Sequence, residues 1–331
     1  MGEDSLTLKS FVHKTVLLNE GVDSATFEKD PEGEHLFIDF TFGGGGHSFL
    51  ILEKFPNSKL IGFDQDLDAI ENSKKLAKEF GVEGRLEVVH SNFENFRSVF
   101  ESRGIEKIDG AILDAGVSSH QFDTVERGFS FRYEADLDMR MDQNSGGKTA
   151  KDIVNNYSSI ELEAIFFKYG EERYSKRIAD AIVSERSKKE LETTKDLENI
   201  IFHCYPRNSR HGGIHPATRC FQALRIEVND ELSVLETVVM GVPDFLSNRS
   251  SFAVISFHSL EDRIVKQGFK SVVKDHHEFS TLTKKPMLPG EEEIKANKRS
   301  RSAKMRVLQR GFENDKKKKK SWKIKSEGER S

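Results

Sequence analysis

The run HLFIDF at 35–40 leads straight into TFGGGGHS, so four consecutive glycines (Gly43 to Gly46) separate an apolar β-prone segment from a helical stretch that starts near Ser48. Glycine turns with positive φ at no steric cost and lets another group approach the backbone closely. A strand that ends in such a loop and re-enters as a helix opens a βα unit. The alternation then recurs. KLIGFD (59–64), RLEVVH (85–90) and DGAILDAG (109–116) are further short β-prone runs. Residues 66–80 carry Leu67, Ile70, Leu76, Ala77 and Phe80 partly at helical spacing. Strands alternating with helices at this pitch predict a parallel sheet with right-handed crossovers.

The rhythm breaks after Val117. Residues 118–149 are rich in Ser, Asp, Arg and Gly without a clear period, and 150–204 are mostly helical in composition. Capped helix starts are expected at Tyr157-Ser158-Ser159-Ile160-Glu161 and at Thr193-Thr194-Lys195-Asp196. Pro216 opens a long helix with Leu224, Val228, Leu232, Leu235 and Val239 along one face. FAVISF (252–257) is a fifth strand, the helix LEDRIVKQGF follows, and 279–283 and 305–309 are candidate late strands. From Glu313 the lysine-rich tail cannot form a core. The expected organisation is a doubly wound α/β sheet interrupted after its fourth strand. Residues 1–118 and 215–312 form the sheet domain, 119–214 a helical insertion, and 313–331 a disordered basic tail.

The loop also carries chemistry. Asp64 ends the second strand, about 20 residues beyond the glycines, where a carboxylate accepts ribose hydroxyls. That much suits NAD or any adenosine cofactor, and it is also compatible with a plain tight turn. Asp39 sharpens the choice. The pattern Asp-x-x-x-Gly-x-Gly, covering Asp39, Gly43 and Gly45, resembles the S-adenosylmethionine (SAM) loop of Rossmann-like methyltransferases. An acid there suits a cationic aminoacid end and repels a pyrophosphate; the alternative for Asp39 is a loop cap. Asp114 ends the fourth strand, at the carboxyl edge where ligands of such sheets sit, or else caps the following turn.

Seven longer phrases go beyond a fold: HKTVLLNEGVD (13–23), FIDFTFGGGGHS (37–48), LIGFDQDLDAI (60–70), DAGVSSHQFDTVERGFSFRYEADLDMRMD (114–142), HPATRCFQALRIEVNDEL (215–232), ISFHSLEDRIVK (255–266) and NKRSRSAKMRV (297–307). Together they closely resemble the RsmH/MraW family of 16S rRNA (cytosine-N4) methyltransferases, from about residue 13 to 310. The resemblance implies a Rossmann-like SAM-dependent methyltransferase sheet with an inserted helical substrate-recognition domain. It implies an enzyme that methylates N4 of one cytidine in the decoding region, on the small ribosomal subunit. Carried over by position, SAM contacts fall on Gly45, Gly46 and His47, with Asp64 on the ribose, Phe93 near the adenine, and Asp114 and Gln121 completing the site. Ala115 and His120 depart from the family's usual Leu and Pro. Methyl transfer of this kind requires no metal, and Asp114 is the expected acceptor for the N4 amino group.

Charge tests the RNA expectation. The chain of 331 residues has 51 Lys+Arg against 55 Asp+Glu, a net of −4, which excludes a uniformly basic protein. Its distribution is uneven. Residues 295–310 hold seven basic side chains, including Arg299 and Arg301, and no acids; residues 203–225 hold Arg207, Arg210, Arg219 and Arg225, again without acids. Such segments make phosphate footprints or simply solvated faces. Arg127, Phe129, Phe131, Arg132, Met139 and Arg140 mix cations and aromatics as splayed-out RNA requires, although Phe129 and Phe131 also suit a local core. His258 and Ser259 follow the fifth strand and read as contacts to the target cytidine, as a helix start with Ser259 capping and Asp262 three residues on, or as both. Cys204 and Cys220 have no zinc spacing. No segment approaches the roughly 18 apolar residues of a membrane span, and the first residues lack a signal-peptide pattern, so a cytoplasmic protein is expected. A homodimer is compatible with the sequence. Two other readings are an NAD-dependent enzyme, which Asp39 opposes, and a noncatalytic RNA-binding factor, which the intact loop and Asp114 oppose.

Overall fold

The apolar runs HLFIDF, KLIGFD and DGAILDAG become strands because they are buried on both faces, whereas RLEVVH is only half-buried. The computed structural model describes residues 15–116, 124–144, 146–211 and 213–312. In chain order the sheet contains β1 (Leu36–Asp39), β2 (Lys59–Asp64), β3 (Leu86–His90), β4 (Ile108–Asp114), β5 (Leu246–Ser256), β6 (Phe279–Thr281) and β7 (Lys304–Arg310). The helices are α1 (Leu18–Ala25), α2 (Gly46–Lys54), α3 (Leu67–Glu79), α4 (Phe96–Ser102), α5 (Ala150–Asn156), α6 (Ser159–Gly170), α7 (Ser175–Arg186), α8 (Thr194–Cys204), α9 (Ala217–Asn229), α10 (Glu231–Gly241), α11 (Ser259–Asp275) and α12 (Glu291–Ala296).

The strand order is β3-β2-β1-β4-β5-β7-β6. The first five strands run parallel, and β7 lies antiparallel to both β5 and β6. This is a Rossmann-like layout, as the alternation of strands and helices predicts. Successive residues point to opposite faces. Phe37 joins Leu60, Ile112, Ala253 and Met305 on one side; Ile38 and Phe40 join Phe63, Phe96, Phe252 and Phe269 on the other. The many phenylalanines serve the second core, where Phe40 stacks on Phe63 at 5.5 Å and meets Phe96 edge-on at 5.7 Å. The order reverses between β1 and β4. That switch point opens a crevice at the carboxyl ends of the strands, which is where such sheets bind ligands.

The chain forms two compact units, one of residues 1–116 and 234–331 and one of 117–233. The second is helical. Its core holds Ile153, Leu162, Phe166, Ile178, Ile182, Leu197, Ile201 and Leu224. Reciprocal capping boxes start three of its helices, at Thr149/Asp152, Ser158/Glu161 and Thr193/Asp196.

The boundary expected at 215 falls instead at 234. The single long helix expected from Pro216 is two, because Asp230 adopts a left-handed backbone (φ 48°) between α9 and α10. The apolar face is shared out accordingly. Ala217, Cys220, Phe221 and Leu224 complete the helical core, while Leu235 and Val239 complete the sheet's core. β5 begins six residues before FAVISF, and the helix α1 precedes the first strand that the sequence predicts. Among the described residues, no helix is long and apolar enough to cross a membrane.

Candidate active site at the carboxyl rim of the sheet

Glycine is required in the loop after β1 for two separate reasons. Gly45 sits at the helix start with φ 77°, and a Cβ there would fall 2.4 Å from the Phe49 ring and 2.8 Å from that of Phe42. Gly43 also has positive φ, at 52°. Gly44 faces open space, with nothing within 4 Å of where its Cβ would stand. α2 begins without a side-chain cap and without an acid in its first turn. Phe49 N is bonded back to Gly45 O at 2.8 Å, and the amides before it form the positive end of the helix.

The strand-end acids surround this loop. Asp39 is 1% exposed and fastens it: Oδ1 accepts from Thr41 N (3.0 Å) and Oδ2 from Ser48 Oγ (2.7 Å). This is the loop-cap arrangement, with both oxygens engaged inside the protein. Thr41 Oγ1 accepts from Asp114 N at 2.7 Å, tying the ends of β1 and β4 together. Asp64 is partly exposed and accepts from Gly43 N (2.8 Å) and Asp66 N (2.9 Å), one bond per oxygen. Asp114 is partly exposed too. Its Oδ1 accepts from Gly116 N at 3.2 Å, and its Oδ2 has no hydrogen-bond partner among the described residues.

Burial raises all three above the usual carboxylate range. Asp39 is pushed up to about 6 against the hydrogen bonds from Ser48 and Thr41. Asp64 also reaches about 6, with Asp66 and Asp39 adding like-charge repulsion. Asp114 reaches about 7, where burial is joined by the charges of Asp39 and Glu261. Acids crowded at one rim without a compensating cation among the described residues suit a positively charged ligand.

The His47 side chain turns away from the crevice. It is 4% exposed and packs under α1, its Nε2 3.0 Å from where a Gly21 Cβ would stand. Burial lowers its pKa to about 4 against backbone hydrogen bonds to Val16 and Leu17, so the ring is neutral. Phe93 opens a turn (Phe93–Asn95) just after β3, half-buried against the sheet core. Gln121 lies outside the described residues.

The cap of α11 is one residue earlier than expected. His258 is the N-cap; its Nδ1 accepts from Glu261 N (3.4 Å), and Glu261 Oε2 accepts from His258 N (3.2 Å) and Phe257 N (2.6 Å). His258 Nε2 lies 3.0 Å from Glu261 Oε1 without hydrogen-bond geometry. Asp262, the expected partner of Ser259, instead pairs with Arg306 at 2.7 Å. Ser259 is left exposed in the first turn.

The profile of the MraW methylase family matches residues 10–311. Ribosomal RNA small subunit methyltransferase H of Clostridioides difficile (strain 630) is 44% identical over 315 residues, covering 91% of this chain and 99% of that protein. The protein of the same name from Sulfurihydrogenibium sp. (strain YO3AOP1) is 49% identical over 301 residues, covering 91% and 98%. Among solved structures, a methyltransferase homolog protein from Pyrococcus horikoshii is a remote likeness, 11% identical with a TM-score of 0.39, covering 88% of this chain and 66% of that one.

The chain belongs to the MraW methylase family.

For this MraW methylase, the cations and rings expected at RNA divide into two groups. Arg127 is 6% exposed and donates from Nη2 to the carbonyls of Arg140 (3.1 Å) and Met141 (2.8 Å), so it braces a loop rather than facing solvent. Arg140 is compensated by Asp138 through two bonds of 2.7 and 2.8 Å. Phe131 stacks on His215 at 4.6 Å and meets Phe221 edge-on, which is the local-core arrangement. Arg132 is exposed, as is Arg219, which donates to Glu171 O at 3.1 Å. Arg299 and Arg301 are exposed on the turn Lys298–Ser302. The acid-free run at 295–310 is partly neutralised from elsewhere: Asp262 takes Lys304 and Arg306, and Glu278 takes Arg310. Thr41, Ser48 and Glu261 escaped sequence reasoning, although Glu261 stands at capping-box spacing from His258.

Proposed function

We propose that this MraW methylase transfers the methyl group of SAM to N4 of a cytidine in the decoding region of 16S rRNA, acting on the small ribosomal subunit in the cytoplasm. One observation carries the chemistry: three raised, strand-end carboxylates ring an uncapped glycine loop, and one of them, Asp114, has an oxygen without a partner among the described residues. The relatives named for small-subunit rRNA support the substrate.

The donor set fits SAM, which supplies an electrophilic methyl on a cationic sulfonium. Asp64, with one lone pair on each oxygen already held by an amide, would accept the ribose hydroxyls. The amides of Gly46 and His47, at the start of α2, would receive the cofactor's carboxylate, with Gly43 and Gly45 shaping the approach. Asp39 holds the loop in place. Phe93 would flank the adenine, and Gln121 is assigned to the same site.

Cytosine N4 is a weak nucleophile because its lone pair is delocalised into the ring. Asp114 would accept a hydrogen bond from the amino group, which favours a pyramidal nitrogen and steadies the positive charge that develops on it. Holding the base in line converts binding energy into orientation. His258 and Ser259, at the start of α11, and the exposed Arg132, Arg219, Arg299 and Arg301 are the candidate RNA contacts; Phe131, Arg127 and Arg140 would support them from behind.

A nicotinamide dinucleotide suits the glycine loop and Asp64 alone, but it would bring a pyrophosphate toward Asp39 and Asp114. Calorimetry with both cofactors separates the two. SAM should bind and NAD should not; the reverse would overturn this proposal.

A further inference from the structure

We propose that a cationic concavity at the start of α7 is a second RNA-contact site, one that grips a single-stranded segment of the substrate away from the reacting base. This rests on the reading that the substrate is ribosomal RNA. The concavity is shallow and open to solvent, about 400 Å³ in volume, and is lined by Arg173, Tyr174, Lys176, Arg177 and Asp180. Lys176, Arg177 and Asp180 stand at spacings of three and four residues on one face of α7, and Arg173 and Tyr174 lie in the turn just before it.

The charge there is net positive, three cations against the one acid Asp180. Arg173, Lys176 and Arg177 are exposed, and none has an ion-pair partner among the described residues. This distinguishes them from Arg140, Arg225 and Arg306, each neutralised by a carboxylate within 2.7 Å. The wall behind them is rigid. Glu172 is fully buried and accepts from Tyr205 Oη (2.5 Å) and from Tyr174 N (2.8 Å). Tyr174 packs edge-on against Tyr205 at 4.8 Å, and the Arg173 guanidinium lies 4.6 Å over the Tyr174 ring.

The chemistry selects the occupant. Exposed cations without an ion-pair partner among the described residues, one of them stacked on a fixed aromatic ring, match the phosphates and bases of single-stranded RNA. Asp180, which accepts from Ser159 Oγ through Oδ1 at 2.6 Å, also lines the concavity. A bare phosphate would be repelled by it, whereas a ribose 2′-hydroxyl or a base amino group would donate to it.

The test is the triple variant R173Q/K176Q/R177Q, whose changes are all at exposed positions. Methyl transfer to small ribosomal subunits gives kcat and KM, calorimetry gives SAM affinity, and filter binding to protein-free 16S rRNA between about 50 and 200 mM salt gives the salt slope. The KM for subunits should rise about tenfold, with kcat and SAM affinity within twofold. The salt slope should flatten by about two, as expected for three lost phosphate contacts. The charge-preserving R173K/R177K should stay near wild type. An unchanged KM and slope would overturn the site. So would a KM rise on intact subunits with unchanged binding to protein-free rRNA, which would assign the surface to a ribosomal protein. Wild-type protein that binds rRNA with this slope yet transfers no methyl would instead overturn the proposed function and leave the site standing.

Discussion

Asp114 has one oxygen committed to Gly116 N and one without a partner among the described residues, and it is the most strongly raised of the rim acids. Asparagine keeps its size and its contact to Gly116 but loses the charge that steadies a developing cation. Asp114→Asn should lower kcat about 10²–10³-fold, as loss of one preorganised transition-state contact does, with a far smaller loss of SAM affinity. Equal losses in steady-state turnover and calorimetric affinity would assign Asp114 to holding SAM. The three acids were legible because each ends a buried strand, and strand ends fix where a side chain emerges. His47, Arg127 and Arg140 were not. Which way a loop side chain turns depends on Gly21, the Met141 carbonyl and Asp138, and composition does not report those contacts.

Elements were legible where burial is symmetrical or a cap is explicit. β1, β2 and β4 are buried on both faces, so they read as continuous apolar runs. The boxes at Ser158/Glu161 and Thr193/Asp196 form as their spacing dictates. The break at Asp230 was hidden because the apolar period runs on through it, with one half serving each core. Thr193 tests the cap. Its Oγ1 accepts from Asp196 N (3.1 Å), and Asp196 accepts from Thr193 N (3.0 Å) and Glu192 N (3.1 Å). Burial opposes ionisation of Asp196, yet these bonds hold its carboxyl below the usual range. Thr193→Ala should cost about 1 kcal/mol in urea or thermal unfolding. A loss too small to measure would show that packing alone sets the start of α8.

At the scale of the whole molecule, the net charge of −4 averages unlike regions. It excluded a uniformly basic protein and was silent about RNA, because the informative quantity is which cations lack a local acid. The rim acids have a consequence for the cofactor-free chain. Asp39, Asp64 and Asp114 stand at about 6, 6 and 7 when folded, against an ordinary 3.8. A raised acid favours the folded state while protonated, so this contribution is full below about pH 4 and is lost as pH rises through 6–7. A bound cation reverses the preference. SAM affinity should therefore rise about tenfold or more from about pH 5 to about pH 7.5, with protons released on binding. Calorimetry in buffers of different ionisation enthalpy reads both, and a flat affinity without proton release would contradict it. The most direct measurement follows the methyl itself. Small ribosomal subunits lacking the modification are incubated with the enzyme and tritiated SAM, and the rRNA is digested to nucleosides. The label should be recovered in N4-methylated cytidine; label in any other nucleoside, or none in the rRNA, would contradict the account.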